Sequence, residues 1–321
     1  MPVRTPRLPP VRRRTLGPVL ALVVLVVMFG LARGGFFGVD NLSLIVQQSL
    51  VLGTLALGQA LIILTAGVDL ACAAVAVLGT LVVAKLALTG TPGPVALLVG
   101  VLAAAAIGVV AGGLATGLRL PPFIVTFGML VVVTAVTRVY AQGRTYSVAD
   151  GTLGFLGTTK YLFGRVELTY GMGLLLVMYV GVWFALTRTS WGRDVYAVGA
   201  DPRSARHAGV RVRRTTLLVY LVAGFCYGIA AWQALGRVPI ADPAALPLGN
   251  LDAIAAVVAG GVSLFGGRGG VFGVLAGALL VVVLRTGLAQ SGVDTPYQDI
   301  VIGVLVIAAV AVDRYSLGRQ R

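Results

Sequence analysis

Residues 188–214 read RTSWGRDVYAVGADPRSARHAGVRVRR, a polar stretch with seven arginines between the long apolar segments 168–187 and 215–235. The contrast with its surroundings decides the fold class. Of the 321 residues, 58% are hydrophobic and only 11% charged, where a soluble domain carries roughly 25% charged residues. The apolar segments reach the roughly 20 residues that a helix needs to cross a bilayer. Lipid cannot satisfy free backbone groups, so helices are the expected way across. The chain therefore reads as an all-α, polytopic membrane protein.

Working outward from 188–214, hydropathy gives about ten spans: 16–32, 43–65, 68–88, 93–118, 123–141, 168–187, 215–235, 251–266, 269–288 and 298–312. The junctions near 66–68 and 266–269 are tight enough to suggest broken or re-entrant helices. Threading the spans with the N-terminus inside places seventeen of the twenty-five Lys and Arg residues on the cytoplasmic side, including the seven between Arg188 and Arg214. That excess is the positive-inside pattern, and an even number of spans puts both termini in the cytoplasm. Arg12-Arg13-Arg14 followed by the apolar run Pro18–Leu31 imitates a signal peptide, but no convincing small-residue cleavage site follows; it is read as a retained first span. The expected organisation is a basic tail at 1–15, a membrane domain at 16–313 with its polar loop at 188–214, and a tail at 314–321. Loops 142–167 and 236–250 fall outside, the second rich in proline and glycine and expected to be irregular but ordered.

The net charge of +14 does not point to nucleic acid, because the arginines gather at the ends of spans and form no single patch. Cys72 and Cys226 sit far apart in apolar runs and read as small buried hydrophobes, without metal or disulfide spacing. The single histidine, His207, cannot make a metal site alone, and no Ser or Cys nucleophile has an identifiable base. No catalytic residue, cofactor or metal is therefore assigned. A phosphate loop needs Gly-Lys-Ser/Thr, and neither lysine, Lys85 or Lys160, has that context. The glycines from Gly260 to Gly277 read instead as a tight turn at 266–270 and a close-packing face, Gly269-x-x-x-Gly273-x-x-x-Gly277.

Asp69 is the only charge between Ile45 and Ala84. An ionised carboxylate at the bilayer centre costs roughly 2.5–3.5 kcal/mol, so it is expected to cap a helix or to lie on a translocation path. Asp252 reads the same way. Gly67-Val68-Asp69-Leu70 and Asn250-Leu251-Asp252-Ala253 form a faint internal echo of the kind that duplicated transporter halves leave.

Within the polar stretch, Asp201 is a natural N-cap, Pro202 suits the first helical position and Gly209 a stop. A helix of about two turns parallel to the membrane is expected there. Such a handle on an otherwise oily protein suits gripping a soluble partner, which favours a transport subunit driven from outside itself over an enzyme.

Several stretches resemble one family, the permease subunits of ATP-binding-cassette importers for monosaccharides, the ribose-type group within the branched-chain amino acid/ribose permeases. They are Thr65-Ala66-Gly67-Val68-Asp69-Leu70, Leu120-Pro121-Pro122-Phe123-Ile124-Val125-Thr126-Phe127-Gly128, Gly192-Arg193-Asp194-Val195-Tyr196-Ala197-Val198-Gly199 through Gly209-Val210, and Leu251 through Gly269. The likeness covers about Leu50 to Asp313. It implies a permease in a bacterial inner membrane that moves a simple sugar, with a cytoplasmic ATPase in two copies, an extracytoplasmic sugar-binding protein and a second permease, identical or paralogous. It also implies that Asp201, Pro202, Ser204, Ala205, Arg206, His207 and Gly209 form a coupling helix docked on the ATPase, with Ala205 and Gly209 small enough for close approach. Ser204 and His207 depart from the alanine and hydrophobic residue usual there. Nucleosides or branched-chain amino acids are alternative cargoes. An ion-driven carrier is a further alternative, one that would need acids in several spans.

Overall fold

The computed structural model describes residues 12–32, 34–148, 150–162 and 166–318. The distal tails, with Arg4, Arg7, Arg319 and Arg321, lie outside them. Each of the ten expected apolar segments holds a helix: α1 (Arg12–Ala32), α2 (Val39–Leu64), α3 (Cys72–Leu88), α4 (Gly93–Gly117), α5 (Pro122–Ala141), then, after a short α6 (Gly151–Gly154), α7 (Tyr170–Arg188). Two short helices, α8 (Ser190–Ala200) and α9 (Pro202–His207), occupy the polar stretch, and α10 (Val212–Arg237), α11 (Gly249–Ala259), α12 (Val271–Gln290) and α13 (Thr295–Gly318) complete the chain. Seven are long and apolar enough to cross a membrane, while α3, α11 and the apolar part of α1 are shorter.

Boundaries move where backbone chemistry overrides hydropathy. The span expected at 251–266 ends at Ala259, because the left-handed glycines Gly261, Gly266 and Gly267 follow. That expected at 68–88 starts only at Cys72. Helix α1 begins at Arg12, inside the expected tail, and α13 runs past residue 313 to Gly318. The loop at 236–250 is ordered, as expected: β4 (Ile240–Ala241) pairs antiparallel with β1 (Tyr146–Ser147), Tyr146 opposite Ala241. The loop at 142–167 carries a hairpin of β2 (Thr159–Leu162) and β3 (Val166–Thr169).

Burial sorts the helices. In the most apolar stretch of α2, 78% of residues are buried, against 11% for α13, so α2 is the axis and α13 lies at the margin. Lipid tails are as apolar as leucine, so helices in a bilayer gain by packing closely. Helices α4 and α10 show this: a Cβ on Gly108 would come 2.3 Å from the Tyr220 carbonyl oxygen, and one on Gly224 2.6 Å from that of Ala104. Both cysteines are buried and free.

Candidate functional site

Two groups of residues stand out, the polar segment at one end of the bundle and the two places where apolar helices break. Asp201 caps α9: its Oδ1 accepts the Arg203 N–H at 2.9 Å and its Oδ2 the Ser204 hydroxyl at 2.6 Å. These two donors hold its carboxyl below the usual carboxylate range. Pro202 takes the first helical position, where its missing N–H costs nothing. At the other end Val210 N–H bonds the Ala205 carbonyl and Gly209 N–H that of Arg206, both at 3.0 Å. This is a Schellman motif, which requires the left-handed Gly209 (φ 87).

The segment presents Arg203, Ser204, Arg206, His207 and Gly209 to the surroundings. Ala205 is turned inward and 4% exposed. Its small size thus seats α9 on its own chain.

Helix α8 was not anticipated. Trp191, Val195 and Val198 recur at helical spacing, the signal that could have revealed it. It ends against both helix breaks at once. A Cβ on Gly199 would lie 1.8 Å from the Leu64 carbonyl oxygen at the end of α2 and 2.5 Å from the Gly267 nitrogen. Gly267 N–H itself bonds that Leu64 carbonyl at 2.9 Å. The Tyr196 hydroxyl donates to the Gly269 carbonyl at 2.9 Å. Helix α8 therefore joins α9 to the two irregular segments without slack.

The first break, Thr65–Ala71, doubles back along α2. Gly67 N–H returns to the Ile62 carbonyl, and with its amide oxygen and nitrogen assigned from the hydrogen-bond network Gln59 pairs with the backbone N–H and carbonyl of Asp69 at 3.2 and 3.0 Å. Thr126 of α5 donates to the Val68 carbonyl at 2.8 Å, and Asn250 of α11 to that of Leu70 at 3.1 Å. Asp69, 4% exposed, accepts the Ala71 N–H at 2.7 Å, a capping bond made one residue before α3. Backbone left open by the break is thus satisfied by side chains from three other places, as buried backbone groups require.

Asp252, in the first turn of α11, makes a different set of bonds. Arg285 of α12 reaches it at 2.8 Å and Asp299 of α13 at 2.9 Å, joining three helices. The Asp252 side chain is 18% exposed, so unlike Asp69 it reaches open space. Arg285 is one of the eight Lys and Arg residues that the threading leaves outside the cytoplasmic seventeen. An arginine within an apolar run such as Val281–Leu288 was the available signal. The structure does not bring Asp69 and Asp252 together with α9, which lies at the far side of the Gly199 junction.

The chain is similar in sequence to known proteins. The chain is 38% identical to the fructose import permease protein of Rhizobium meliloti over 305 residues, 93% of this chain and 84% of that one. It is 33% identical to the ribose import permease protein of Bacillus subtilis over 93% and 92%. It is 34% identical to the D-allose transport system permease protein of Escherichia coli over 93% and 91%. The profile of the family described as branched-chain amino acid transport system / permease component matches residues 41–310, and the chain belongs to that family.

Proposed function

We infer that this chain is the membrane permease subunit of an ATP-binding-cassette importer that carries a simple sugar across a bacterial inner membrane. The observation that carries the reading is likeness over nine-tenths of the chain to permeases named for fructose, ribose and allose, joined to a capped external helix coupled rigidly to two broken spans. These sugar-named relatives favour a sugar over a branched-chain amino acid or nucleoside.

The finer reading has ten spans with both termini in the cytoplasm. Two observations support it: loops 142–167 and 236–250 meet through β1 and β4, and Asp313, near the end of α13, meets Ser263 in the turn beside α8. Two ATPase copies would hydrolyse ATP on the α9 side, a sugar-binding protein would deliver cargo on the other, and a second permease would complete the pore. Closure of the ATPases pushes α9, α8 carries the displacement through Gly199 to the two breaks, and the path opens to alternate sides. Asp252 with Arg285 lines that path, and Asp69 holds the break. Selectivity rests with the binding protein, since each tenfold gain in permease affinity would slow release by a similar factor.

The test is ATP-dependent uptake in proteoliposomes holding the chain, its ATPase and its binding protein. Uptake by the chain alone would mean an ion-driven carrier and sink the reading. Gly209→Trp should insert normally but lose stimulated ATP hydrolysis; unchanged uptake would remove α9 from coupling.

A further inference from the structure

Where α4 ends and α10 begins, at the α9 end of the bundle, lies a groove of about 670 Å³. Five arginines contribute to its lining: Arg119, Arg206, Arg211, Arg213 and Arg214. No acidic residue lines it, and the ion pairs of Arg285 with Asp252 and Asp299 include none of the five. Arg119 also holds a left-handed backbone (φ 55) directly after α4, uncommon for a residue with a Cβ. Like charges gathered round one concavity repel, and an anion seated among them relieves this.

A second groove, of about 280 Å³, lies farther along the same helix, walled by Leu78, Ile107, Val110, Met129, Val132 and Val136 and wholly apolar. Ala106, Val110, Gly113 and Gly117 follow one another at i, i+4, i+7 and i+11, so both grooves open on one face of α4. From Val110 to Gly117 the rise is about 10 Å. The face between is bare: a Cβ on Gly113 would meet nothing within 4 Å, and one on Gly117 only the tip of Arg213 at 3.8 Å.

We propose that these two grooves form one binding site for an anionic phospholipid, its phosphate held by the arginines and an acyl chain laid along α4 into the apolar groove. Guanidinium groups grip phosphate with paired hydrogen bonds, and basic pockets between membrane helices on the cytoplasmic side suit such headgroups. Free phosphate would use only the arginines. An acidic protein surface would leave the apolar groove unfilled. Because Arg206 belongs to α9 and Arg211 leads into α10, a bound lipid ties the docking segment to α4. The site itself does not depend on which cargo the protein carries.

The full chain, purified in nanodiscs of phosphatidylethanolamine with a minor fraction of phosphatidylglycerol, is released into native mass spectrometry, and the two retained lipids are compared. The wild type should retain phosphatidylglycerol preferentially. Removing two charges with Arg119→Gln/Arg213→Gln should lower its bound-to-unbound ratio about 30-fold, and Val110→Trp, which fills the apolar groove, should lower it with every arginine in place. No preference in the wild type, or a preference that survives the double substitution, overturns the proposal. Retention unchanged by Val110→Trp but competed by inorganic phosphate would identify a phosphate site and overturn the lipid assignment. Loss of the co-purifying ATPase with phosphatidylglycerol retained would make the groove a protein contact and overturn it as well. Gel filtration identifies a misfolded double variant, in which case Val110→Trp and the wild-type preference decide.

Discussion

Asp201 and Asp69 show how one residue type serves two environments. Asp201 is exposed, accepts two donors, and stays ionised more readily than an ordinary carboxyl. Its contribution to α9 is therefore complete above the ordinary aspartate value near 3.9, and is lost as acidification passes its lowered one. Asn caps helices as well as Asp and Ala does not, so Asp201→Asn should keep most of the stimulated ATP hydrolysis and Asp201→Ala should lose much of it. Equal activity of the two variants would show that the cap is dispensable. Asp69 is buried and its bond to Ala71 has no water to replace it. Asp69→Ala should cost about 1–3 kcal/mol, the penalty for an orphaned buried donor, read as reduced yield and melting temperature in detergent. Asp69→Asn keeps an acceptor and should recover most of the loss. The sequence alone exposed both residues, Asp69 as the single charge in a long apolar run and Asp201 as an acid directly before a proline. That Ala205 faces inward was hidden, because a six-residue helix has too few turns to mark an apolar face.

At the scale of elements, two glycines separate space from conformation. Gly199 has an ordinary φ but no room, with a Cβ falling 1.8 Å from a backbone oxygen. Gly209 has room on every side but a φ of 87°. Gly199→Ala should therefore destabilise by more than about 3 kcal/mol, since neither neighbour is a movable side chain. Gly209→Ala should cost only about 1 kcal/mol, the strain of a left-handed alanine. Melting curves of the two purified variants check this, and a more stable Gly199→Ala would refute the rigid junction. The glycine run at 266–270 was legible as a turn. Its partner, the α8 end, was not, because the pairing spans residues 64, 199 and 267, and no local pattern encodes such a meeting.

For the whole molecule, Arg285 joins α11, α12 and α13 by holding Asp252 and Asp299. Breaking a buried pair costs about 3–5 kcal/mol, and with side chains 24%, 18% and 30% exposed the loss in Arg285→Ala should fall at the lower end. Arg285→Lys, whose single ammonium cannot fork between two carboxylates, should melt between wild type and Arg285→Ala; an Arg285→Ala protein that melts like wild type would remove the triad's structural role. The helix positions, the membrane class and the caps of α9 were set by the sequence itself, through hydrocarbon runs of bilayer length and through bonds formed within a few residues. Which helix lies at the centre, which acid reaches open space, and how α9 connects to the breaks were decided only by the tertiary structure. Lipid rewards every apolar face alike, so hydropathy cannot tell a helix's protein side from its lipid side; only the steric fit of small residues across distant segments does.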